Sequence, residues 1–210
     1  MRFKPVTNSS VRLALIVLAG LAVGAVAALA IFPEARARLL PTGATSVGRA
    51  LVGGPFQLTD QAGKRVTDKD FRGRYTLVFF GFTNCPDICP SALQVMAAAL
   101  DQLGPKGQAV TPLFISVDPE RDSPRELATY VKSFHPRLVG LTGTPEEIEA
   151  VTKAYRVYVK KVADTRSSAG YSFDHSAIIY LMGPDGAYVT HFTATTSADA
   201  MAERLAKLLR

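Results

Sequence analysis

The chain has 210 residues, a length that suits one globular domain plus a short additional segment. Its 24 Lys and Arg residues outnumber its 18 Asp and Glu residues, but three of the basic residues and none of the acidic ones precede residue 33, so the remainder carries only +3. Because no dense Lys/Arg run or basic-aromatic alternation is present, this charge argues against nucleic-acid binding.

A membrane anchor is predicted near the N-terminus. Residues 13–32 are uncharged and almost wholly apolar, and a helix of this length, at about 1.5 Å per residue, matches a hydrocarbon core of about 30 Å. We therefore expect a cytoplasmic segment 1–12, a transmembrane helix 13–32, a tether 33–53 and a folded domain 54–210. A cleaved signal peptide is the alternative, because basic residues precede the apolar run and Ala28-Leu29-Ala30 resembles a cleavage site.

The folded domain is predicted to open with a β-hairpin. Residues 56–59 and 64–67 have strand character and flank a turn at 60–63 that ends in Gly. Residues 75–82 form an aromatic and β-branched run without alternation, which is typical of a central strand buried on both faces. Apolar residues then recur at helical spacing from Pro90 to Leu103, which predicts the first helix of the domain.

Two more strand–helix units are predicted. A buried strand at 113–117 precedes a helix from Pro124 to about Phe134, and a short strand at 139–141 precedes a helix from Pro145. Both helices follow a capping box, in which Ser or Thr is followed three residues later by Glu. Each predicted helix therefore has a defined start.

The chain closes with a second hairpin and a helix. Strands predicted at 177–182 and 187–192 are joined by Gly183-Pro184-Asp185-Gly186, and an amphipathic helix follows at 198–209. The order of elements is a β-hairpin, then βαβα, then ββα. This order predicts an α/β fold with a parallel sheet core, thioredoxin-like with an N-terminal β-hairpin added.

The two cysteines of the chain lie in Cys85-Pro86-Asp87-Ile88-Cys89, between the first central strand and its helix. With Pro90 in the first helical turn, Cys89 is expected at or near the N-cap, where unpaired backbone N–H groups and the helix dipole favour a thiolate. A structural disulfide is one interpretation, although so short a loop constrains the unfolded chain little. Redox-active cysteines that exchange disulfides with a partner are a second interpretation, and a metal site is a third.

His175 precedes the strand predicted at 177–182. Thioredoxin-like oxidoreductases usually carry a cis-proline at that point, facing the cysteines, so a histidine there is expected to point at the two sulfurs. Two sulfurs and one nitrogen suit Cu(I), Cu(II) or Zn²⁺. His135, at a helix end, and His191, in a terminal strand, are expected to be surface or packing residues.

Three carboxylates accompany these candidates. Asp87 and Asp174 flank the proposed ligands, and either could orient His175 or attract a cation. Asp118 follows the second central strand at its carboxyl end, where sheets of this kind place their sites. A loop-solvating role explains Asp87 and Asp174 equally well, and a turn with a helix N-cap explains most of the Asp118 segment. We assign no role to the tyrosines.

These motifs together resemble the Sco/SenC family, over a stretch from about residue 54 to the C-terminus. The matching segments are 81–90, 115–122, 174–176 and 183–186. The resemblance implies a thioredoxin-like copper chaperone whose ligands are Cys85, Cys89 and His175. It also implies a role in assembling the binuclear copper centre of cytochrome c oxidase subunit II. We expect a monomer that receives copper from an upstream donor protein.

The resemblance further implies one N-terminal span, with the domain on the outer side of an energy-transducing membrane. Because the apolar run begins within a dozen residues of Met1, we expect no transit peptide and predict a bacterial inner-membrane protein with its domain in the periplasm. A metallochaperone is not a turnover enzyme. Two alternatives remain, namely a thiol–disulfide oxidoreductase that reduces the acceptor's cysteines and a copper or redox sensor.

Overall fold

The computed structural model describes residues 13, 15–20, 51–165, 167 and 169–209. Most of the predicted membrane span and of the tether lies outside these residues. Residues 15–20 are helical. Among the residues described, no helix is both long and apolar enough to cross a bilayer. The described residues from 51 onwards belong to one compact unit, which contains every candidate site residue.

The described part of this unit has nine strands and four α-helices. In chain order they are β1 (Gln57–Asp60), β2 (Arg65–Thr67), β3 (Tyr75–Gly81), α1 (Ile88–Gln102), β4 (Val110–Ser116), α2 (Pro124–Lys132), β5 (Val139–Thr142), α3 (Pro145–Tyr155), β6 (Val159–Ala163), β7 (Tyr171–His175), β8 (Ile178–Met182), β9 (Tyr188–Thr193) and α4 (Ala198–Leu208). Short 3₁₀ helices, Asp68–Phe71 and Gly104–Ala109, follow β2 and α1.

Seven of the strands form one sheet, in the order β2-β1-β5-β4-β3-β8-β9. Strands β3, β4 and β5 run parallel, and the other pairs are antiparallel. Strand β3 lies between β4 and β8, and its residues 77–80 are completely buried, as the apolar run without alternation predicts. These findings confirm the α/β, thioredoxin-like fold with its N-terminal β-hairpin.

The predicted capping residues define the starts of α2 and α3, and the reciprocal bonds of a full capping box are present at α3. The Ser123 side chain accepts a hydrogen bond from the backbone N–H of Glu126. Thr144 and Glu147 make the reciprocal pair of capping bonds at the start of α3. These bonds satisfy N–H groups that lack an intrahelical acceptor, so each helix starts at the proline after its cap.

Helix α1 starts earlier than predicted. Its first residue is Ile88 and its N-cap is Asp87, so Cys89 is the second helical residue rather than the N-cap. Pro90 is consequently the third residue of the helix. Proline is tolerated there because the first N–H groups of a helix have no intrahelical acceptor to lose.

Strands β6 and β7 form a second, two-stranded sheet, which the sequence analysis did not predict. Val159 is paired with His175 at one end of this hairpin, and Ala163 with Tyr171 at the other. Most of its residues are exposed or half-buried, so it lacks the continuous apolar run by which β3 and β4 are recognised. The hairpin places His175 directly before β8.

Candidate metal-binding and redox site

The three predicted ligands come from three separate parts of the fold. Gly81 and Ser116 end the parallel strands β3 and β4 and are paired with each other, so the loops that follow leave the same edge of the sheet. Cys85 lies in the loop after β3, and Cys89 lies in the first turn of α1. His175, at the end of β7, approaches the same edge.

The three side chains meet at this edge. Cys89 is completely buried, whereas Cys85 is partly exposed, and both thiols are free. The backbone N–H of Cys89 lies 3.4 Å from Cys85 Sγ. Cys89 Sγ lies 3.6 Å from His175 Nε2. The site therefore has one accessible sulfur, one buried sulfur and an imidazole nitrogen.

His175 is oriented by its neighbours. Its ring packs edge-on against Phe79 and Phe82, at centroid distances of 6.2 and 5.9 Å. Its Nδ1 lies 3.2 Å from the carbonyl oxygen of Ser176. If Nδ1 carries the proton and donates to that carbonyl, Nε2 keeps its lone pair and faces Cys89. This is the usual arrangement of a metal-binding histidine.

The electrostatics of the two thiols differ, and the thiolate is Cys85 rather than Cys89. The pKa of Cys85 is lowered to about 4, first by the hydrogen bond from the Cys89 thiol, with His175 and the N–H groups of Cys89 and Asp87 adding to the effect. The same hydrogen bond raises the pKa of Cys89 well above its usual range, and burial and the charge on Cys85 raise it further. The N-terminus of α1 thus stabilises a thiolate that precedes the helix.

This asymmetry predicts how alkylation depends on pH. A free cysteine with a pKa of about 8.5 loses about tenfold in reactivity per pH unit below that value. We expect iodoacetamide to label Cys85 at a nearly constant rate from pH 8 to about 5, because its pKa is about 4, and to spare buried Cys89. Mass spectrometry of labelled peptides measures both rates, with denatured protein as control. Labelling of Cys85 that falls tenfold per unit would contradict the low pKa.

Gly81 leaves room for the buried thiol. A Cβ atom at this position would lie 2.7 Å from Cys89 Sγ and 2.8 Å from the ring of Phe114. Gly81→Ala is therefore expected to displace Cys89 and to lower the free energy of unfolding by about 1–3 kcal/mol. Gly54→Ala is the control, because a Cβ there would lie 3.4 Å from Ala154 Cβ, an ordinary contact. Urea unfolding compares the two variants, and equal stabilities would refute the steric argument.

The three predicted carboxylates lie in different settings. Asp87 occupies the N-cap position of α1 without a side-chain capping bond, and it accepts a 3.4 Å hydrogen bond from Ser91 Oγ. Asp174 is exposed, and as the neighbour of His175 along β7 it points to the opposite face of the strand. Asp118 is completely buried, and its carboxylate accepts a hydrogen bond from the Arg121 side chain. The hydrogen bond recorded at His175 Nδ1 goes to the Ser176 carbonyl, and not to one of these carboxylates.

Asp122 is a site-supporting residue that the sequence analysis missed. Its carboxylate is completely buried and accepts hydrogen bonds from Thr83 N at 3.0 Å, Thr83 Oγ1 at 2.5 Å and Ser116 Oγ at 2.5 Å. It thereby ties the loop that contains Cys85 to the end of β4. The only signal in the sequence is a second Asp in the loop after β4, four residues after Asp118.

The other two histidines lie elsewhere, with packing contacts as expected. His135 Nδ1 accepts a hydrogen bond from Arg137 N at 3.1 Å. The side chain of Arg137 binds the carbonyl of Val110, at the start of β4, so His135 lies at the opposite edge of the sheet from the cysteines. His191 Nδ1 lies 2.6 Å from Tyr188 Oη on β9.

The donor atoms fit a soft metal ion. Sulfur and nitrogen atoms that bind one tetrahedral ion, with bonds of about 2.3 and 2.0–2.1 Å, lie about 3.6 Å apart, which is the separation between Cys89 Sγ and His175 Nε2. Among the described residues, no group of three or more His, Cys, Asp or Glu side chains could hold a metal ion as the atoms stand.

Comparison with known proteins agrees with this architecture. The chain is 46% identical over 166 residues to Protein SCO1 homolog 1, mitochondrial, of Arabidopsis thaliana. The matched region covers 79% of this chain and 49% of that protein. The chain thus spans about half the length of the curated relatives it matches. The solved structure of Bradyrhizobium japonicum ScoI with copper bound is 47% identical, with a TM-score of 0.69 over 74% of this chain and 98% of that one.

A more distant structure has the same fold. BsSco, described as having a disulfide switch and as a member of the Sco family of cytochrome c oxidase assembly proteins, is 26% identical, with a TM-score of 0.59. The match covers 75% of this chain and 92% of that one. Residues 44–210 also match the sequence model of the family described as SCO1/SenC. The chain therefore belongs to the SCO1/SenC family.

Proposed function

We propose that this protein binds copper through Cys85, Cys89 and His175 and delivers it to the binuclear copper site of cytochrome c oxidase subunit II. The observation that carries the proposal is the meeting of Cys89 Sγ and His175 Nε2 at 3.6 Å, beside the Cys85 thiolate. Copper binding would displace the proton of Cys89, and two thiolates with one imidazole form a donor set that suits copper by softness.

The choice of copper over zinc rests on the relatives. Zinc would accept the same donor atoms, but Bradyrhizobium japonicum ScoI, at 47% identity, was solved with copper bound. The choice of acceptor has a similar basis, because BsSco is described as a cytochrome c oxidase assembly protein. Copper is cargo in this proposal, received from an upstream donor and passed on.

Delivery would proceed by ligand exchange. Three protein ligands leave one side of the metal open, as in zinc sites that accept an outside ligand. Cys85 is the partly exposed sulfur, so an incoming cysteine or histidine of the acceptor can displace it first. Cys89 is completely buried beneath it and would release copper last.

The setting of the reaction is also part of the proposal. Residues 13–32 would anchor the chain in a bacterial inner membrane and place the domain in the periplasm. The support is the uncharged apolar run of that segment, long enough for a bilayer. A periplasmic domain could meet an acceptor site exposed on that side of the membrane.

His175→Ala tests the copper site. Removing the imidazole leaves two sulfurs, and we expect copper affinity to fall by at least about tenfold, the lower end of what even supporting groups contribute. His191→Ala is the matched control, because His191 lies on β9 and binds Tyr188. Competition with a chromophoric copper chelator measures affinity, and X-ray absorption reports the nitrogen ligand. Equal affinity in both variants would refute the proposed ligand set.

A second candidate function is reduction of the acceptor's disulfide. The observation that favours it is the arrangement of a partly exposed sulfur, Cys85, with a free buried thiol, Cys89, next to it. In this reaction, Cys85 would attack the acceptor disulfide and form a mixed disulfide. Cys89 would then displace the acceptor's thiol and close a Cys85–Cys89 disulfide, so the acceptor gains the two electrons that the pair loses. His175→Ala separates the functions, since reduction that persists without copper binding supports this candidate.

A further inference from the structure

One face of β7 is packed along its whole length. Because side chains alternate along a strand, Tyr171, Phe173 and His175 share that face. Phe173 packs on Phe82 at a centroid distance of 5.6 Å, and Tyr171 lies edge-on to Phe173 at 5.8 Å. His175 also packs on Phe82, at 5.9 Å. The three side chains form a row, so the position of the imidazole depends on the whole row.

Tyr171, at the far end of the row, is held by charged groups. The guanidinium carbon of Arg121 lies 4.0 Å from its ring centroid, and Lys161 Nζ lies 3.8 Å from it. Both distances are within the range of cation–π attraction. The Tyr171 hydroxyl donates to Asp118 Oδ1 at 3.1 Å and also lies 3.4 Å from Glu120 Oε2.

These groups connect the hairpin to the loop after β4. Arg121 donates to the buried carboxylate of Asp118, and Lys161, on β6, forms a 2.7 Å ion pair with Glu120. Each strand of the hairpin is therefore fastened to that loop, β7 by Tyr171 and β6 by Lys161.

Side-chain contacts, rather than backbone hydrogen bonds, attach most of the hairpin to the rest of the domain. The ladder hydrogen bonds of β6 and β7 are made with each other, because the two strands form a sheet of their own. A cleft of about 260 Å³ lies between the hairpin and α3, lined by residues that include Val159, Phe173 and Ile148. Packing against α3 is therefore incomplete. The hairpin is held by the contacts of Tyr171 and Lys161, by the packing of Phe173 on Phe82, and by Arg121, which donates to Ser167 Oγ at 3.3 Å and to the Tyr171 carbonyl at 3.5 Å.

We propose that Tyr171 is a positioning residue for the copper ligand His175. It holds the β6–β7 hairpin on the loop after β4 and so keeps the imidazole beside the cysteines. Tyr171 acts at a distance, because four residues along a strand correspond to about 13 Å. The inference rests on the proposed copper function only for its consequence, which is that loosening the hairpin releases copper faster.

Tyr171→Leu and Tyr171→Phe test the proposal in the full chain. Leucine cannot attract the two cations, whereas phenylalanine keeps the ring beneath them and loses only the hydroxyl. Tyr188→Leu, on β9, controls for the loss of a half-buried tyrosine elsewhere in the domain. Hydrogen–deuterium exchange of the copper-free proteins compares amides of β6 and β7 with those of β8 and β9. Copper release to a chelator is then timed.

We expect Tyr171→Leu to accelerate exchange in β6 and β7 but not in β8 and β9, and to speed copper release by about tenfold, a supporting-residue effect. Tyr171→Phe should fall between the wild type and Tyr171→Leu, because it keeps the ring beneath the two cations and loses the hydroxyl contacts with Asp118 and Glu120. Unchanged exchange in β6 and β7, or an equal rise in all four strands, would overturn the proposal. Because exchange is measured without copper, a wild-type protein that fails to bind copper would refute the proposed function and leave this test intact.

Discussion

Cys89→Ser is expected to abolish stoichiometric copper binding while the fold is kept. Cys89 is completely buried at the start of α1, with its sulfur 3.6 Å from the imidazole of His175. A serine hydroxyl is a harder donor and is not ionised at neutral pH, so it replaces neither the softness nor the charge of a thiolate. Cys85→Ser should have the same effect on copper, measured by metal content after gel filtration.

The two serine variants should differ in stability. A buried hydroxyl without a full set of partners costs about 1–3 kcal/mol, so Cys89→Ser should lower the free energy of unfolding, whereas partly exposed Cys85→Ser should change it little. Ala92→Ser is the matched control, because Ala92 is 1% exposed on the same helix and its hydroxyl would not be at a ligand position. Copper retained at one equivalent by both cysteine variants would exclude the proposed ligands.

The parts of the fold that frame the site could be predicted from local signals. Strands β3 and β4 are continuous apolar runs, and capping boxes mark the starts of α2 and α3. Alternation of strands and helices then implies a parallel core whose strands end at one edge. His175 could be assigned to that edge because it precedes β8. The prediction of Cys85 and Cys89 followed from their place between β3 and α1.

The roles of the two thiols could not be predicted, because they depend on where α1 begins. Proline fits any position of a first helical turn, so Pro90 did not fix the start. With Asp87 as N-cap, Cys85 precedes the helix and accepts the N–H of Cys89, whereas Cys89 faces the core. A shift of two residues in the helix start thus exchanges the thiolate and the thiol.

The supports of the site depend on contacts between distant segments. Tyr171 is 53 residues from the carboxylate that accepts its hydroxyl, and Asp122 is 39 residues from Thr83. The alternation of Tyr171, Phe173 and His175 is a weak strand signal. Only the packing of Phe173 on Phe82 shows that these side chains share a face that lies against the domain. Asp122 likewise differs from an ordinary turn residue only in being completely buried, which the sequence does not reveal.

Asp122→Ala is expected to destabilise the protein and to displace the cysteine loop. The carboxylate accepts bonds from the backbone and hydroxyl of Thr83 and from the hydroxyl of Ser116. Removing it leaves these donors without their acceptor in a buried place, at a cost of about 3 kcal/mol. Alanine should therefore lower the midpoint of urea unfolding and weaken copper binding, because Thr83 lies two residues before Cys85 in the chain.

Asp122→Asn separates the hydrogen bonds from the charge. Asparagine keeps one acceptor oxygen, so it should retain part of the stability that alanine loses. Burial raises the pKa of Asp122 above its usual value. At pH values between the unfolded and the folded pKa, the folded state therefore keeps a proton that the unfolded chain has released. The contribution of this protonated group is complete below the unfolded pKa of about 3.9 and is lost as pH rises through the folded pKa.

The stability difference between the wild type and Asp122→Asn should consequently shrink as pH rises from about 3.9, since only the wild type loses stability through this group. Urea unfolding of both proteins from pH 4 to 7 measures the difference, in which the other carboxylates cancel. A difference that grows with pH would mean that the ionised carboxylate is favoured in the fold. In that case the three hydrogen bonds outweigh burial, and Asp122 stabilises the cysteine loop as a charge rather than as an acceptor alone.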